Sequence, residues 1–176
     1  CGLPDDAQVL ASFNNSYKFT PERVALWLDI LRNCPSDVLW LLLSDGVEEA
    51  ARQLRLFAAS RGIAEARLIF MPKLPHADYL ARFAHVDLFL DTAPYGAHTT
   101  ASDALWAGCP VLTCPGETFA SRVAGSLLNT LGLPELIADS EDDYCRRAIH
   151  LVNTPMRLTR LRERLAEARK QSALFD

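Results

Sequence analysis

The sequence predicts an α/β fold, a parallel sheet wrapped by helices on both faces. Short apolar runs alternate with amphipathic helical stretches at least five times along the 176 residues. The runs are continuously apolar rather than alternating, as in "DVLWLLL", which suits strands covered on both faces. Gly, Pro, Asn and Asp gather between the runs and mark the turns.

The elements follow in order. "AQVLASF" (7–13) is short and apolar, a buried strand. In "TPERVALWLDILRNC", Thr20 caps a helix, Pro21 suits its first turn and Glu22 complements the positive end of the helix. Val24, Leu28 and Leu31 make one apolar face, with Trp27 adjoining. A second strand is expected over 37–43, a turn at Ser44-Asp45-Gly46, and then the helix "VEEAARQLRLFAASRG", closed by Gly62. The pattern repeats with a strand over 66–71, a short helix "PHADYLARFAH" and a strand over 86–91. The helix "TTASDALWAG" stops at Gly108, "CPVLTC" is a strand, "TFASRVAGSLLNTLG" a helix and "ELIA" a last short strand. From Ser140 onward the sequence reads as helical. Trp27, Trp40 and Trp106 sit inside apolar patterns and are expected in the core.

Composition narrows the function classes. Apolar residues make up 49%, which argues against disorder. The net charge is −4 with acids and bases interspersed, so no nucleic-acid footprint is expected. No apolar run approaches the roughly 20 residues of a bilayer span, and no signal-peptide pattern is seen, so no membrane partner is expected. The five cysteines form no CxxC pair and have no zinc spacing; buried thiols in a reducing cytoplasm are the expectation. The sequence starts at Cys1 without a methionine and is expected to be one domain, 1–176, of a longer protein.

In an open α/β sheet, ligands bind beyond the carboxyl ends of the strands. The loops there are "NNSYK" (14–18), "SDG", "PKLPH" (72–76), "TAPYGAHTT" and "PGET" (115–118). Thr99 and Thr100 fall at a helix N-terminus, where unpaired N–H groups and the helix dipole favour phosphate. His98 adds a charge-assisted bond and Lys18, from the first loop, a full cation for the same diphosphate. Asp103, one turn further, is placed to accept from ribose hydroxyls. Singly, each residue has a plainer reading: a Thr pair caps a helix, a histidine packs, a lysine is a solvated charge. Glu117 is read as a solvated loop carboxylate. Neither GxGxxG nor GxxxxGK[ST] is present, so the motifs indicate neither a dinucleotide site nor a P-loop. Together the residues point to a nucleoside diphosphate.

Three stretches, "FNNSYKFTPERVALWLDILRNCPSDVLWLL", "DLFLDTAPYGAHTTASDALWAGCPVLTCPGETFASRVAGSLL" and "LGLPELIA", resemble the C-terminal catalytic lobe of the O-linked N-acetylglucosamine transferase (OGT/SPINDLY) family, glycosyltransferase family 41. The resemblance covers nearly the whole chain and is nearest to bacterial members with tetratricopeptide repeats. It implies one Rossmann-like three-layer α/β/α lobe of a GT-B glycosyltransferase, the nucleotide-sugar-binding lobe. It implies transfer of N-acetylglucosamine from UDP-GlcNAc to protein Ser or Thr, with inversion and without a metal or other cofactor. Thr99 and Thr100 would hold the diphosphate, His98 would lie beside it, Asp103 would meet the ribose and Lys18 would stabilise the leaving group. Asn15 stands where animal members have glutamine and would keep a phosphate contact with shorter reach. His76 stands where they have lysine and Tyr79 where they have histidine, while Arg82 matches; these positions would face the base, and Leu74 would offer it backbone groups. The acceptor-facing residues belong to the other lobe and the repeats, so this chain alone is expected to bind nucleotide without transferring sugar. Alternatives under the same resemblance are a GDP-fucose-dependent O-fucosyltransferase and a UDP-hexose-dependent N-glycosyltransferase. Outside it, a non-catalytic nucleotide-sensing module is the alternative.

Overall fold

The computed structural model describes residues 2–43 and 48–175. Cys1 and the turn expected at Ser44-Asp45-Gly46 lie outside the described residues. The described residues contain a five-stranded parallel sheet. Its strands are β1 (Val9–Ser12), β2 (Val38–Leu42), β3 (Leu68–Met71), β4 (Leu88–Leu90) and β5 (Val111–Leu112), in the spatial order β3-β2-β1-β4-β5. The chain builds outward from β1 to β3, crosses back, and continues through β4 to β5. Right-handed crossovers then put the helices of the two halves on opposite faces. This is the three-layer arrangement expected, and the reversal beside β1 and β4 creates a crevice at their carboxyl ends.

Aspartates just before β2 and β4 accept hydrogen bonds from the start of β1. Gln8 N–H donates to Asp37 Oδ1 at 2.9 Å, and Val9 N–H to Asp87 Oδ2 at 2.8 Å. The ladder begins beyond these side-chain bonds, with Val9 opposite Val38 and Leu10 opposite Leu88.

Helix α1 (Pro21–Arg32) starts as expected, with Thr20 Oγ1 accepting from Arg23 N–H. Helices α2 (Glu48–Ser60), α3 (His76–Arg82), α4 (Thr99–Trp106) and α5 (Phe119–Thr130) follow their predicted stretches. Gly62 and Gly108 take the left-handed conformation just past α2 and α4, where a side chain would be strained. The helical C-terminal region resolves into α6 (Glu141–Val152) and α7 (Pro155–Gln171). Helix α1 packs on α6, and α4 on α5.

Two expectations are corrected. "ELIA" is not a strand: Pro134–Leu136 form a 3-10 turn, and a single parallel bridge joins Ile137 to Thr113. Proline lacks the N–H a ladder needs, and the 3-10 bonds consume the neighbouring groups. Trp106 is not in the core but 47% exposed. Ala101, Ala104 and Leu105 are the buried residues of α4, and Trp106 lies one position round from that face, against Phe175 and under the Arg169 guanidinium. Trp27 and Trp40 are buried as expected.

An aromatic cluster ties the first and third strand-end loops together. Phe13, just past β1, meets Trp40 of β2 at 5.2 Å, Phe83 at 5.1 Å and Tyr79 of α3 at 6.2 Å between ring centroids. Edge-on aromatic pairs add about 0.5–1.5 kcal/mol each beyond their burial. The cluster fixes α3 beside the exit of β1.

Candidate functional site

At the carboxyl end of β1 the chain enters Asn14 and Asn15 and then a 3-10 turn over Ser16–Lys18. The turn closes when Lys18 N–H donates to the Asn15 carbonyl at 3.0 Å, which swings the Lys18 side chain inward. Lys18 is 9% exposed. Its Nζ donates to the Gly96 carbonyl at 2.9 Å and to Asn14 Oδ1 at 3.3 Å, and lies 4.3 Å from the centre of the Tyr95 ring. Burial lowers the Lys18 pKa, and the negative charge of Asp91 opposes that fall.

Gly96 belongs to the turn that links β4 to α4. Its N–H donates to the Ala120 carbonyl at 3.0 Å, and a Cβ on it would sit 3.1 Å from that oxygen. Only glycine fits without displacing backbone. His98 Nε2 lies 3.1 Å from the same Ala120 oxygen; a carbonyl only accepts, so Nε2 carries the proton and Nδ1 is left free. The His98 ring stacks on Tyr95, with centroids 5.1 Å apart, and meets Phe119 edge-on at 6.1 Å.

Thr99 and Thr100 are the first two residues of α4, and no side chain caps that end. Its leading N–H groups are therefore available to an acceptor from outside. Asp103 lies one turn on; burial raises its carboxyl pKa and the facing His76 imidazole lowers it. Burial likewise raises the Tyr79 phenol, with the Asp103 carboxylate adding to the effect and the Thr100 hydroxyl opposing it. His76 and Tyr79 of α3 thus lie within electrostatic reach of Asp103 of α4.

The expected residues fall into groups around the start of α4. Lys18 and His98 meet across Gly96 and Tyr95, and Asp103 feels the charge of His76 on α3. Leu74, 38% exposed, and the exposed Asn15 lie on the rim. Arg82 does not join either group: its Nη1 donates to the Pro72 carbonyl at 3.0 Å and its guanidinium stands 5.8 Å from the Trp40 ring centre. It braces the loop that carries Leu74. Glu117 is exposed.

Sequence reasoning missed Asn14, Tyr95, Gly96 and Asp91. Asn14 and Asp91 are fully or almost fully buried polar residues at the carboxyl ends of β1 and β4. A polar residue closing an apolar run was the available signal. Nothing local marked the Gly96 carbonyl as a lysine acceptor, since the two lie 78 residues apart. A cleft of about 560 Å³ lies beside the same turn, lined by Arg23, Pro94, Cys114 and Ser121 among others, but by none of the expected residues. Convergent polar groups, rather than volume, define the site.

The whole chain, residues 1–176, matches the model of Glycosyl transferase family 41. It is 37% identical over 174 residues to the UDP-N-acetylglucosamine–peptide N-acetylglucosaminyltransferase of Caenorhabditis elegans, covering 99% of this chain and 15% of that protein. It is 37% identical over 176 residues to the probable enzyme of the same description, SEC, of Arabidopsis thaliana, covering 99% and 18%. Among solved structures it superposes on a mutant O-GlcNAc transferase of Thermobaculum terrenum with a TM-score of 0.90 and 32% identity, over 98% of this chain and 35% of that one. A UDP-GlcNAc 2-epimerase of Neisseria meningitidis, at 10% identity and a TM-score of 0.64, shares the fold alone. The chain thus spans less than a fifth of the length of the two curated relatives. With the family model matched from end to end and these relatives aligned across 99% of it, the chain belongs to glycosyl transferase family 41.

Proposed function

We propose that this chain is the donor lobe of a protein O-GlcNAc transferase, binding UDP-GlcNAc for inverting transfer of N-acetylglucosamine to a protein Ser or Thr. The observation that carries the reading is the state of Lys18. An ammonium has three N–H donors, and the fold uses two, on Gly96 and Asn14. Among the described residues the third has no hydrogen-bond acceptor, and the uncapped start of α4 follows three residues after Gly96. The names of the relatives, which specify UDP-N-acetylglucosamine and a peptide, support the choice of donor and acceptor.

In this reading the diphosphate lies on the N–H and hydroxyl groups of Thr99 and Thr100. His98 lies beside the phosphates, and Asn15 makes a further phosphate contact. Asp103 accepts from ribose hydroxyls. Leu74 and His76 meet the base, on a loop braced by Arg82. The acceptor oxygen attacks the anomeric carbon, the bond to the diphosphate oxygen breaks, and UDP departs with the electron pair. Lys18 neutralises the charge growing on that oxygen, a preorganised cation in the place a metal takes elsewhere, so no metal or other cofactor is called for. Removing one such donor costs roughly 10²–10³ in kcat. The acceptor and its activating groups belong to the remaining length of such a protein, so the isolated chain binds nucleotide without turnover. The four described free cysteines are buried or half-buried thiols, which suits a reducing cytoplasm.

Calorimetric titration with UDP, with GDP in parallel and Thr100→Val as the variant, tests the reading. UDP binding that is absent for GDP and weakened in Thr100→Val is the expected result. Preference for GDP would move the assignment to a fucosyl donor, and unweakened binding in Thr100→Val would remove the diphosphate from this helix end.

A further inference from the structure

One carboxylate holds the turn that carries Gly96 and His98. Asp91, just past β4, is 1% exposed. Its Oδ1 accepts from Thr92 N–H and from Ala97 N–H, both at 2.7 Å, and its Oδ2 accepts from the Thr113 hydroxyl of the segment after β5 at 2.7 Å. The first oxygen therefore ties the two ends of the 92–97 turn together. Thr92 Oγ1 donates to the Tyr95 carbonyl at 2.7 Å and stiffens the turn further. The Gly96 carbonyl that receives Lys18 is fixed between Asp91 and the Ala120 anchor.

The surroundings suit the ionised form. Each of the three hydrogen bonds is donated to Asp91, the charge of Arg23 on α1 favours its carboxylate, and Lys18 is bonded to the carbonyl of Gly96 in the turn that Asp91 holds. Tyr144 of α6 donates its hydroxyl to the Asp91 main-chain carbonyl at 3.0 Å, and Trp27 of α1 donates to the Tyr144 oxygen at 3.3 Å. Arg23 is shared with Glu141 of α6 at 2.6 Å. Asn14, Tyr95 and the Gly96 carbonyl complete the surroundings of Lys18.

We propose that Asp91 is a positioning residue for the transfer reaction: it fixes the turn that aims Lys18, and its charge keeps Lys18 an ammonium. The inference rests on the assignment of Lys18 to the leaving diphosphate. Burial, the largest influence, leaves the Asp91 carboxyl raised, while the Thr113 hydroxyl, the two N–H groups and Arg23 oppose that rise and favour the carboxylate. Burial lowers the Lys18 pKa and Asp91 raises it. Removing the negative charge lets the Lys18 pKa fall further, so a diphosphate that needs the ammonium is lost at a lower pH.

The test is UDP affinity by calorimetry from about pH 6 to about pH 10, spanning the range where a depressed lysine titrates. Asp91→Asn keeps the size of the side chain and an oxygen for Thr92 and Ala97 while removing the charge. Its alkaline loss of binding is expected at a lower pH than that of the unaltered chain. The titration of the nucleotide itself is common to both proteins and cancels. Thr113→Val removes one hydrogen bond but leaves the charge; it is expected to weaken binding at every pH without moving the limb. A limb that does not move in Asp91→Asn overturns the proposal. A second measurement covers an Asp91→Asn that does not fold. By reciprocity, Lys18→Met must raise the Asp91 carboxyl titration seen by carbon NMR, and an unmoved carboxyl overturns the coupling. If Lys18→Met leaves UDP affinity intact, the assignment of Lys18 fails; if affinity falls but neither Asp91 readout moves, only the present inference fails.

Discussion

Lys18 shows what one residue asks of a fold. Burying an ammonium is costly unless hydrogen bonds and an opposite charge compensate. Asn14, Gly96, the Tyr95 face and Asp91 supply that compensation. Gly96 is the tightest point. Its Cβ would meet the Ala120 oxygen at 3.1 Å and Asp91 Oδ2 at 3.3 Å. Gly96→Ala is therefore expected to cost about 1–3 kcal/mol of stability through overpacking and to weaken UDP binding as the carbonyl shifts. Thermal melts and calorimetry read the two effects; an unchanged melting temperature with normal binding would show that the turn relaxes freely. The thiols behave differently. Burial first, then the Asp37 charge, pushes Cys34 up to about 11, and burial pushes Cys109 up to about 12. Alkylation at about pH 8 should label both far more slowly in the folded chain than in urea, because the thiolate is the reactive form. Equal rates would contradict the burial.

Among the elements, the short helices α3 and α4 matter most to the proposal, because they carry His76, Thr99, Thr100 and Asp103. Helix α3 has no fully buried residue and depends on the aromatic cluster under it. Phe13→Ala removes the ring that joins Trp40, Tyr79, Phe83 and Phe89. It is expected to cost about 3–5 kcal/mol in denaturant unfolding. UDP affinity should fall with it, as His76 drifts from Asp103. A loss of stability with full affinity would mean that α3 takes no part in binding. Most element boundaries were legible locally, as at Thr20-Pro21 and Gly108, where caps and left-handed glycines act within a turn. "ELIA" was misread because its apolar pattern fits a strand, while Pro134 and the 3-10 bonds prevent all but one bridge.

At the scale of the whole molecule, the reversal of strand order beside β1 and β4 sets the site. It brings the loop after β1 against the turn after β4, and the start of α5 against the back of that turn. The remaining rim carries exposed aromatic residues, Tyr17 at 76% and Phe119 at 82%.

Local pattern in the sequence set the order of strands and helices apart from "ELIA", the helix N-terminus at Thr99 and Thr100, the polar loops at strand ends and the family. These follow from periodicity, capping and motif, which act over a few residues. Long-range packing, by contrast, set that Lys18 reaches Gly96, that the buried Asp91 holds the turn behind it, that Arg82 braces a loop and that Trp106 faces outward. Such contacts join residues tens of positions apart. They exist because strand order and crossover hand bring those residues together, and no local pattern records which strand becomes whose neighbour.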